Sequence, residues 1–225
     1  MKKTVNVAID GPAGAGKSSV AKKVAERLRF LYIDTGAMYR ALTYAAIKKN
    51  LDLHDGEALA DLLSESELSL VPSPEQTVVY WDGSEVTDDI RTNRVNAQVS
   101  LVSSHQAVRE AMVGRQQALA AGKDAVLEGR DIGTHVLPQA DVKVFLTASV
   151  EERARRRHLE QQEKGFPSHF EQLKQEIAKR DELDSTRTHS PLKKAEDATV
   201  IDTTAMGMDE VITAIYLLVK EKLAQ

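Results

Sequence analysis

The chain contains no cysteine. Disulfide bridges, thiolate metal sites and a cysteine nucleophile are therefore excluded. No stretch approaches the ~18 consecutive apolar residues of a membrane-spanning helix. The first apolar run, Val5 to Ile9, is interrupted by Asn6 and closed by Asp10, too short for the apolar part of a signal peptide. Positive charge is not in excess: 30 Lys and Arg face 34 Asp and Glu, a formal net charge of −4. That balance argues against a general nucleic-acid coat and against a polybasic membrane anchor. The six histidines (His54, His105, His135, His158, His169, His189) show no metal-ligand spacing and read as surface or capping residues. There is no internal repeat and no low-complexity tract. With no long apolar stripe left over, the expectation is a cytoplasmic monomer that binds neither nucleic acid nor membrane.

What is present is an ordinary globular composition, 42% hydrophobic and 28% charged over 225 residues. That length suits one α/β domain carrying one or two small insertions. Val5 to Ile9 reads as a buried strand. A Gly-rich loop follows, then an apolar stripe at Val20, Ala21, Val24, Ala25 and Leu28 that predicts a helix. Phe30 to Ile33 is a second strand. Strand, loop, helix, strand is the opening of a parallel α/β sheet.

Ala37 to Lys49 and Ala58 to Leu63 read as helices. The texture then changes. Leu68 to Val71, Thr77 to Trp81 and Glu85 to Val86 are strand-like and are separated by turn signals at 72–76 and 82–84, which predicts a small antiparallel meander. Trp81 belongs to the packing of that meander. Asn93 to Ala121 is helical with a break near Ser103 and Ser104. Ala125 to Leu127 and Val142 to Leu146 are buried strands. Ser149 and Glu152 spell a capping box that starts a helix, which ends near 165–167. Phe170 to Leu183 is helical, Ala198 to Ile201 a strand, and Met208 to Leu223 a closing amphipathic helix.

Residues Gly11, Pro12, Ala13, Gly14, Ala15, Gly16, Lys17 and Ser18 spell GPAGAGKS, a phosphate-binding loop in its proper context, with a strand before and a helix after. The glycines let backbone N–H groups converge on phosphate oxygens, and the helix start behind them favours an anion. Lys17 is placed to reach the β- and γ-phosphates and the Ser18 hydroxyl to meet Mg²⁺; Ser19 completes the loop. This motif specifies a nucleoside triphosphate rather than a reaction. The Asp-x-x-Gly and Asn-Lys-x-Asp motifs of GTPase switches are missing.

Arginines supply the second half of the pattern. Arg40 closes DTGAMYR at the exit of the second strand, and Arg130 with Asp131 follows a strand in EGRDIGT. Both lie at carboxyl ends of strands, where ligands of open α/β sheets bind. Arg153, Arg156 and Arg157 have the spacing of one helix face, with Arg155 elsewhere. Three cations on one face repel unless an anion visits, and a transferring phosphoryl group is such an anion. Arg180, Asp184 and Arg187 share a face if the helix persists to 187, either as a salt-bridge ladder or as a carboxylate flanked by phosphate clamps. Arg109 lies mid-helix. No hydrophobic run ending in Asp offers a second magnesium contact, leaving Ser18.

GPAGAGKS, DTGAMYR, EGRDIGT, SVEERARRR (149–157) and RDELDSTR (180–187), in this order and spacing, resemble the bacterial cytidylate kinase (CMP/dCMP kinase) family over essentially the whole chain. The meander also matches. The resemblance implies a three-layer P-loop core with a parallel sheet (1–37, 101–150, 168–225), a monophosphate-binding insertion with a small antiparallel sheet (38–100) and a short mobile helical lid (151–167). It implies transfer of the ATP γ-phosphate to CMP or dCMP with Mg²⁺. Thr35, Arg109 and Asp131 would read cytosine; Arg40, Arg130 and Arg187 would hold the acceptor phosphate. Arg180 and Asp184 would meet the pentose and its phosphate, and Arg153, Arg157 and Arg156 would be lid arginines. Lys17, Arg130, Arg153, Arg157 and Arg187 would then carry the catalysis. A kinase for another small anion, such as shikimate, and a nucleotide-dependent switch protein fit the arginine pattern less well.

Overall fold

The computed structural model describes residues 4–73, 77–163, 165 and 167–224. The turn expected at 72–76 and the helix stop at 165–167 thus fall partly outside the described residues. The chain divides into two compact units, Met1–Leu31 with Gly122–Gln225, and Tyr32–Ala121.

The first unit is built on a sheet. Strand β1 (Asn6–Asp10) lies between β6 (Ala125–Gly129) and β7 (Val142–Thr147), parallel to both, with Val7 opposite Val126 and Val142. Strand β8 (Thr199–Asp202) pairs in parallel with β7. Strand β2 (Leu31–Asp34) takes the outer place beside β6, where the Leu31 N–H donates to the Asp124 carbonyl at 2.9 Å. The full order is β2-β6-β1-β7-β8. Val7, Ala8, Ile9, Val126 and Leu127 are completely buried, the near-continuous apolar pattern of strands covered on both faces. Helix α1 (Lys17–Leu28) packs on β6 and on α8 (Met208–Leu223), and α8 also reaches β7. Arg29 ends α1 in the left-handed region (φ 59°), its N–H turned back to the Ala25 and Glu26 carbonyls. Helix α6 (Val150–Glu163) packs on α7 (Phe170–Thr186) through Ala154, Leu173 and Ile177.

Two expectations need correction here. The capping box forms only by half. The Glu152 N–H donates to Ser149 Oγ at 3.1 Å, but the Ser149 N–H goes to Thr204 Oγ1, and the Glu152 carboxylate is held by Arg155 and Arg156. Helix α7 stops at Thr186, and Arg187 is already extended (φ −60°, ψ 142°), so it does not continue the face of Arg180 and Asp184. A turn of π-helix, Ile132–Val136, follows β6 and has no counterpart in the sequence reading.

The second unit packs helices α2 (Thr35–Lys48), α3 (Gly56–Glu65), α4 (Asn93–Val102) and α5 (Gln106–Ala120) with the meander β3-β4-β5. Strand β3 (Leu68–Pro72) is antiparallel to β4 (Thr77–Trp81), with Leu68 opposite Trp81. Asp82 and Gly83, at φ 49° and 73°, make the two-residue turn to β5 (Ser84–Glu85). Both central residues at positive φ match the right-handed twist of the strands. Thr77, Val79 and Trp81 face inward, so Trp81 is buried in the meander's packing.

Candidate active site

The Gly-rich loop links β1 to α1. Gly11 has φ 149°, and a Cβ there would overlap the Leu146 carbonyl oxygen of the neighbouring strand. Gly14 (φ 77°) and Gly16 (φ 85°) complete a backbone that side chains rarely permit, and Gly16 is the N-cap of α1. The loop therefore presents the first amides of a helix, the arrangement that takes an anion. Ala15 and Lys17 are buried, whereas Ser18 and Ser19 are exposed. The Lys17 ammonium donates to the carbonyl of Pro12 at 2.7 Å. Burial, above all, and the Arg130 and Arg180 guanidiniums push its pKa down to about 7, against the pull of Glu128 and Asp10. A lysine held in this state gains its charge most easily when an anion arrives.

Ser18 Oγ donates to Glu128 Oε1 at 2.6 Å. Glu128 sits buried near the carboxyl end of β6. It supplies the carboxylate that sequence reading did not find. The signal was available in the motif itself, since EGRDIGT begins with Glu at the end of an apolar strand. Among the described residues no three His, Cys, Asp or Glu side chains form a metal cluster. A hydroxyl and one carboxylate are all-oxygen donors that suit a hard cation whose remaining ligands are waters and substrate phosphates.

Past β6 the first unit gathers its charged residues. Arg130 Nε donates to Asp184 Oδ2 at 2.9 Å. Burial opposes the Arg130 charge, but Asp184 overrides it and raises its pKa; burial likewise opposes the Asp184 charge, and Arg130, Arg180 and Arg187 overcome it, so that carboxyl stays below its ordinary value. Arg187 NH2 lies 3.6 Å from Asp131 Oδ1, and its Nε donates to the Ser190 carbonyl at 2.6 Å. Thus Arg130, Asp131, Asp184 and Arg187 form two ion pairs, each joining a residue at the β6 exit to one at or just past the end of α7. Arg180 acts on both Lys17 and Asp184.

The three arginines of α6 are not a bare cationic face, which corrects the repulsion argument. Arg153 is 4% exposed and fully occupied. It donates to the Ala148 carbonyl (3.0 Å), to the Ala13 carbonyl of the phosphate loop (2.9 Å) and to Asp181 Oδ2 (2.6 Å). Arg156 is held by Glu152 and by the hydroxyl and carbonyl of Thr203. Arg157 is exposed and donates to Glu160 at 3.4 Å. Helix spacing put the three on one side, but acceptors from distant segments decide what each does.

In the second unit, Asp34 caps α2, accepting from the Ala37 N–H at 2.8 Å. The same carboxylate holds Arg40 at 3.4 Å, with Arg91 at 3.8 Å. Thr35 is the first, buried residue of α2. Arg109, mid-helix in α5, is 3% exposed. Its NH1 donates to the Ser103 carbonyl at 3.2 Å and its guanidinium lies 5.5 Å from the Tyr39 ring centre. A guanidinium over an aromatic face is held by cation–π attraction, which fixes the position of this buried arginine.

A phosphate loop on a parallel sheet, a buried lysine and a set of pre-positioned arginines define a P-loop phosphotransferase. The family profile "Cytidylate kinase" matches residues 7–221. A cytidylate kinase of Shouchella clausii is 69% identical over 221 residues, 98% of each chain. One from Geobacillus kaustophilus is 57% identical, covering 99% of this chain and 100% of its own. The chain belongs to the cytidylate kinase family. A crystal structure of an uncharacterized protein from Eubacterium ventriosum shares the fold (TM-score 0.52, 13% identity, covering 99% of this chain and 100% of its own).

Proposed function

We propose that the protein transfers the γ-phosphate of ATP to CMP or dCMP, yielding ADP and CDP or dCDP, with Mg²⁺ as the metal. The observation that carries this is the pairing of a buried Lys17 behind the phosphate loop with the Arg130–Asp184 and Asp131–Arg187 ion pairs. In phosphoryl transfer the protein supplies positioning and charge rather than covalent chemistry. The acceptor phosphate is already an oxyanion, so no general base is required.

In this reading residues 11–19 hold the ATP phosphates, and Ser18, with Glu128 behind it, holds Mg²⁺, which neutralises phosphate charge when bound. Lys17 steadies the transferring group. Arg40, Arg130 and Arg187 hold the acceptor phosphate, and Arg180 and Asp184 meet the pentose. Thr35, Arg109 and Asp131 read cytosine. Cytosine offers an N4 donor where uracil offers an acceptor, so an ionised Asp131 accepts from the first and repels the second. A buried polar group left unpaired makes such a site selective. Segment 38–100 is the monophosphate-binding insertion and 151–167 the lid, with Arg157 and Arg156 facing the donor phosphates and Arg153 bracing their loop. Among the described residues no helix is long and apolar enough to cross a membrane. We place the enzyme in the cytoplasm as a monomer without a nucleic-acid partner.

The test is a coupled ADP-release assay with ATP and Mg²⁺ against CMP, dCMP, UMP, AMP and shikimate, on wild type and Asp131→Ala. Turnover of CMP and dCMP that exceeds UMP and collapses in the variant is expected. Equal use of UMP and CMP refutes the base-reading assignment.

A further inference from the structure

Asp10 has no part in the chemistry above, yet it is one of the most buried carboxylates of the first unit, 4% exposed at the last position of β1. Its Oδ1 accepts the Ile132 N–H at 2.8 Å and its Oδ2 accepts the Gly133 N–H at 2.7 Å. Both oxygens are spent on consecutive amides of one loop. Those amides immediately follow Arg130 and Asp131. They open the π turn in which the His135 and Val136 N–H groups fold back on the Asp131 carbonyl. A π turn next to a functional residue is a rare local geometry that something must hold in place.

We infer that Asp10 is the positioning residue for base selection: its carboxylate sets where the Arg130–Asp131 loop sits relative to the phosphate loop. The inference rests on the proposed CMP kinase reading and deepens it. Asp10 is covalently followed by Gly11, so one residue ties the end of the donor loop to the segment proposed to choose the acceptor. The phosphate loop does not need this side chain for its own placement. The β1 backbone is fixed on both edges by β6 and β7, with Asp10 opposite Gly129 and Phe145. The Ile132–Gly133 segment lies beyond the last paired residue of β6 and has no such ladder. Gly133 allows the close approach, because a Cβ there would stand 3.4 Å from Asp10 Oδ2 and 3.2 Å from the Lys143 side chain. The charged groups that bear on Asp10 are Asp131, which opposes its ionisation, and Lys17, which favours it.

Asp10→Asn keeps the shape but turns an amide NH2 toward one of the two N–H groups, so one half of the clamp opens. Displacements of about 1 Å in positioning elements cost on the order of 100-fold. The expected result is a KM for CMP raised about tenfold or more, a reduced CMP-to-UMP ratio of kcat/KM, and a KM for ATP within about threefold of wild type. A purely structural role would lower stability and activity together and leave the ratio alone. Gly133→Ala, which presses on the same contact from the other side, should shift the ratio in the same direction and decides the matter if Asp10→Asn fails to fold. An unchanged ratio in the folded variants, or a rise in the ATP KM equal to that for CMP, overturns the inference. Wild-type enzyme that uses UMP as well as CMP instead overturns the underlying reading, and the inference with it. That result is seen before either variant is measured.

Discussion

Lys17 makes a quantitative prediction about ATP binding. Its amine is buried against the Pro12 carbonyl, and burial, joined by Arg130 and Arg180, brings its pKa down to about 7 from the ordinary 10.5. A triphosphate seated in the loop reverses the balance, because the anion favours the ammonium. ATP binding should therefore draw a proton from solvent whenever the free enzyme's lysine is neutral. At pH 8, one unit above that pKa, about nine in ten of the free molecules carry a neutral amine, so uptake should approach one proton per ATP. Between pH 6 and pH 8 the affinity should fall about tenfold, or ~1.4 kcal/mol, from this residue alone. The assay is isothermal titration with a non-hydrolysable ATP analogue and Mg²⁺ at pH 8, in two buffers of different ionisation enthalpy. The difference in observed heat gives the proton count directly. Lys17→Met should abolish the uptake. Zero uptake in wild type, or equal uptake in Lys17→Met, refutes the argument that the buried lysine is charged by its substrate. The linked stability effect has a definite sign. Between about pH 7 and 10.5 the unfolded chain holds a proton on this lysine that the native enzyme does not, so Lys17 makes the free enzyme more stable as pH rises through that window.

Two further outcomes follow from the geometry. Gly11→Ala should lose ATP binding and about 2 kcal/mol of stability, since it combines a strained φ of 149° with overlap of the Leu146 carbonyl; a melting curve and ATP titration like those of wild type would contradict it. Asp184→Ala should cost about 2 kcal/mol in denaturant unfolding at pH 7, because it leaves the half-buried Arg130 without its 2.9 Å partner. The carboxyl's pKa is depressed in the fold, so the cost should shrink as pH falls below the ordinary value of 3.8, where wild type also loses the ion pair. A cost independent of pH down to that range would show that packing, not charge, is responsible.

Much of this protein was determined by local sequence. Strand β4 and helix α8 begin and end where periodicity placed them, and the break between α4 and α5 falls at 103–105. These features are legible because they depend on which residues lie one turn or one pleat apart. The phosphate loop is legible for the same reason, since its glycines and lysine are contiguous and act through their own backbone. Tertiary structure decided what the charged side chains do. Arg153 and Arg157 are one helical turn apart, yet one is sealed against the phosphate loop and Asp181 while the other lies at the surface. Arg109 lies mid-helix with no local signal of burial, and only the fold sets it against Tyr39 and the Ser103 carbonyl. Glu128 and Ser18 are 110 positions apart, and Asp10 is joined to Ile132 and Gly133 across more than 120. An ion's partners are chosen by whichever oxygens and nitrogens the packed chain brings within about 3 Å. Local pattern carries no record of that choice, so the motif named the ligand while the fold assigned the work.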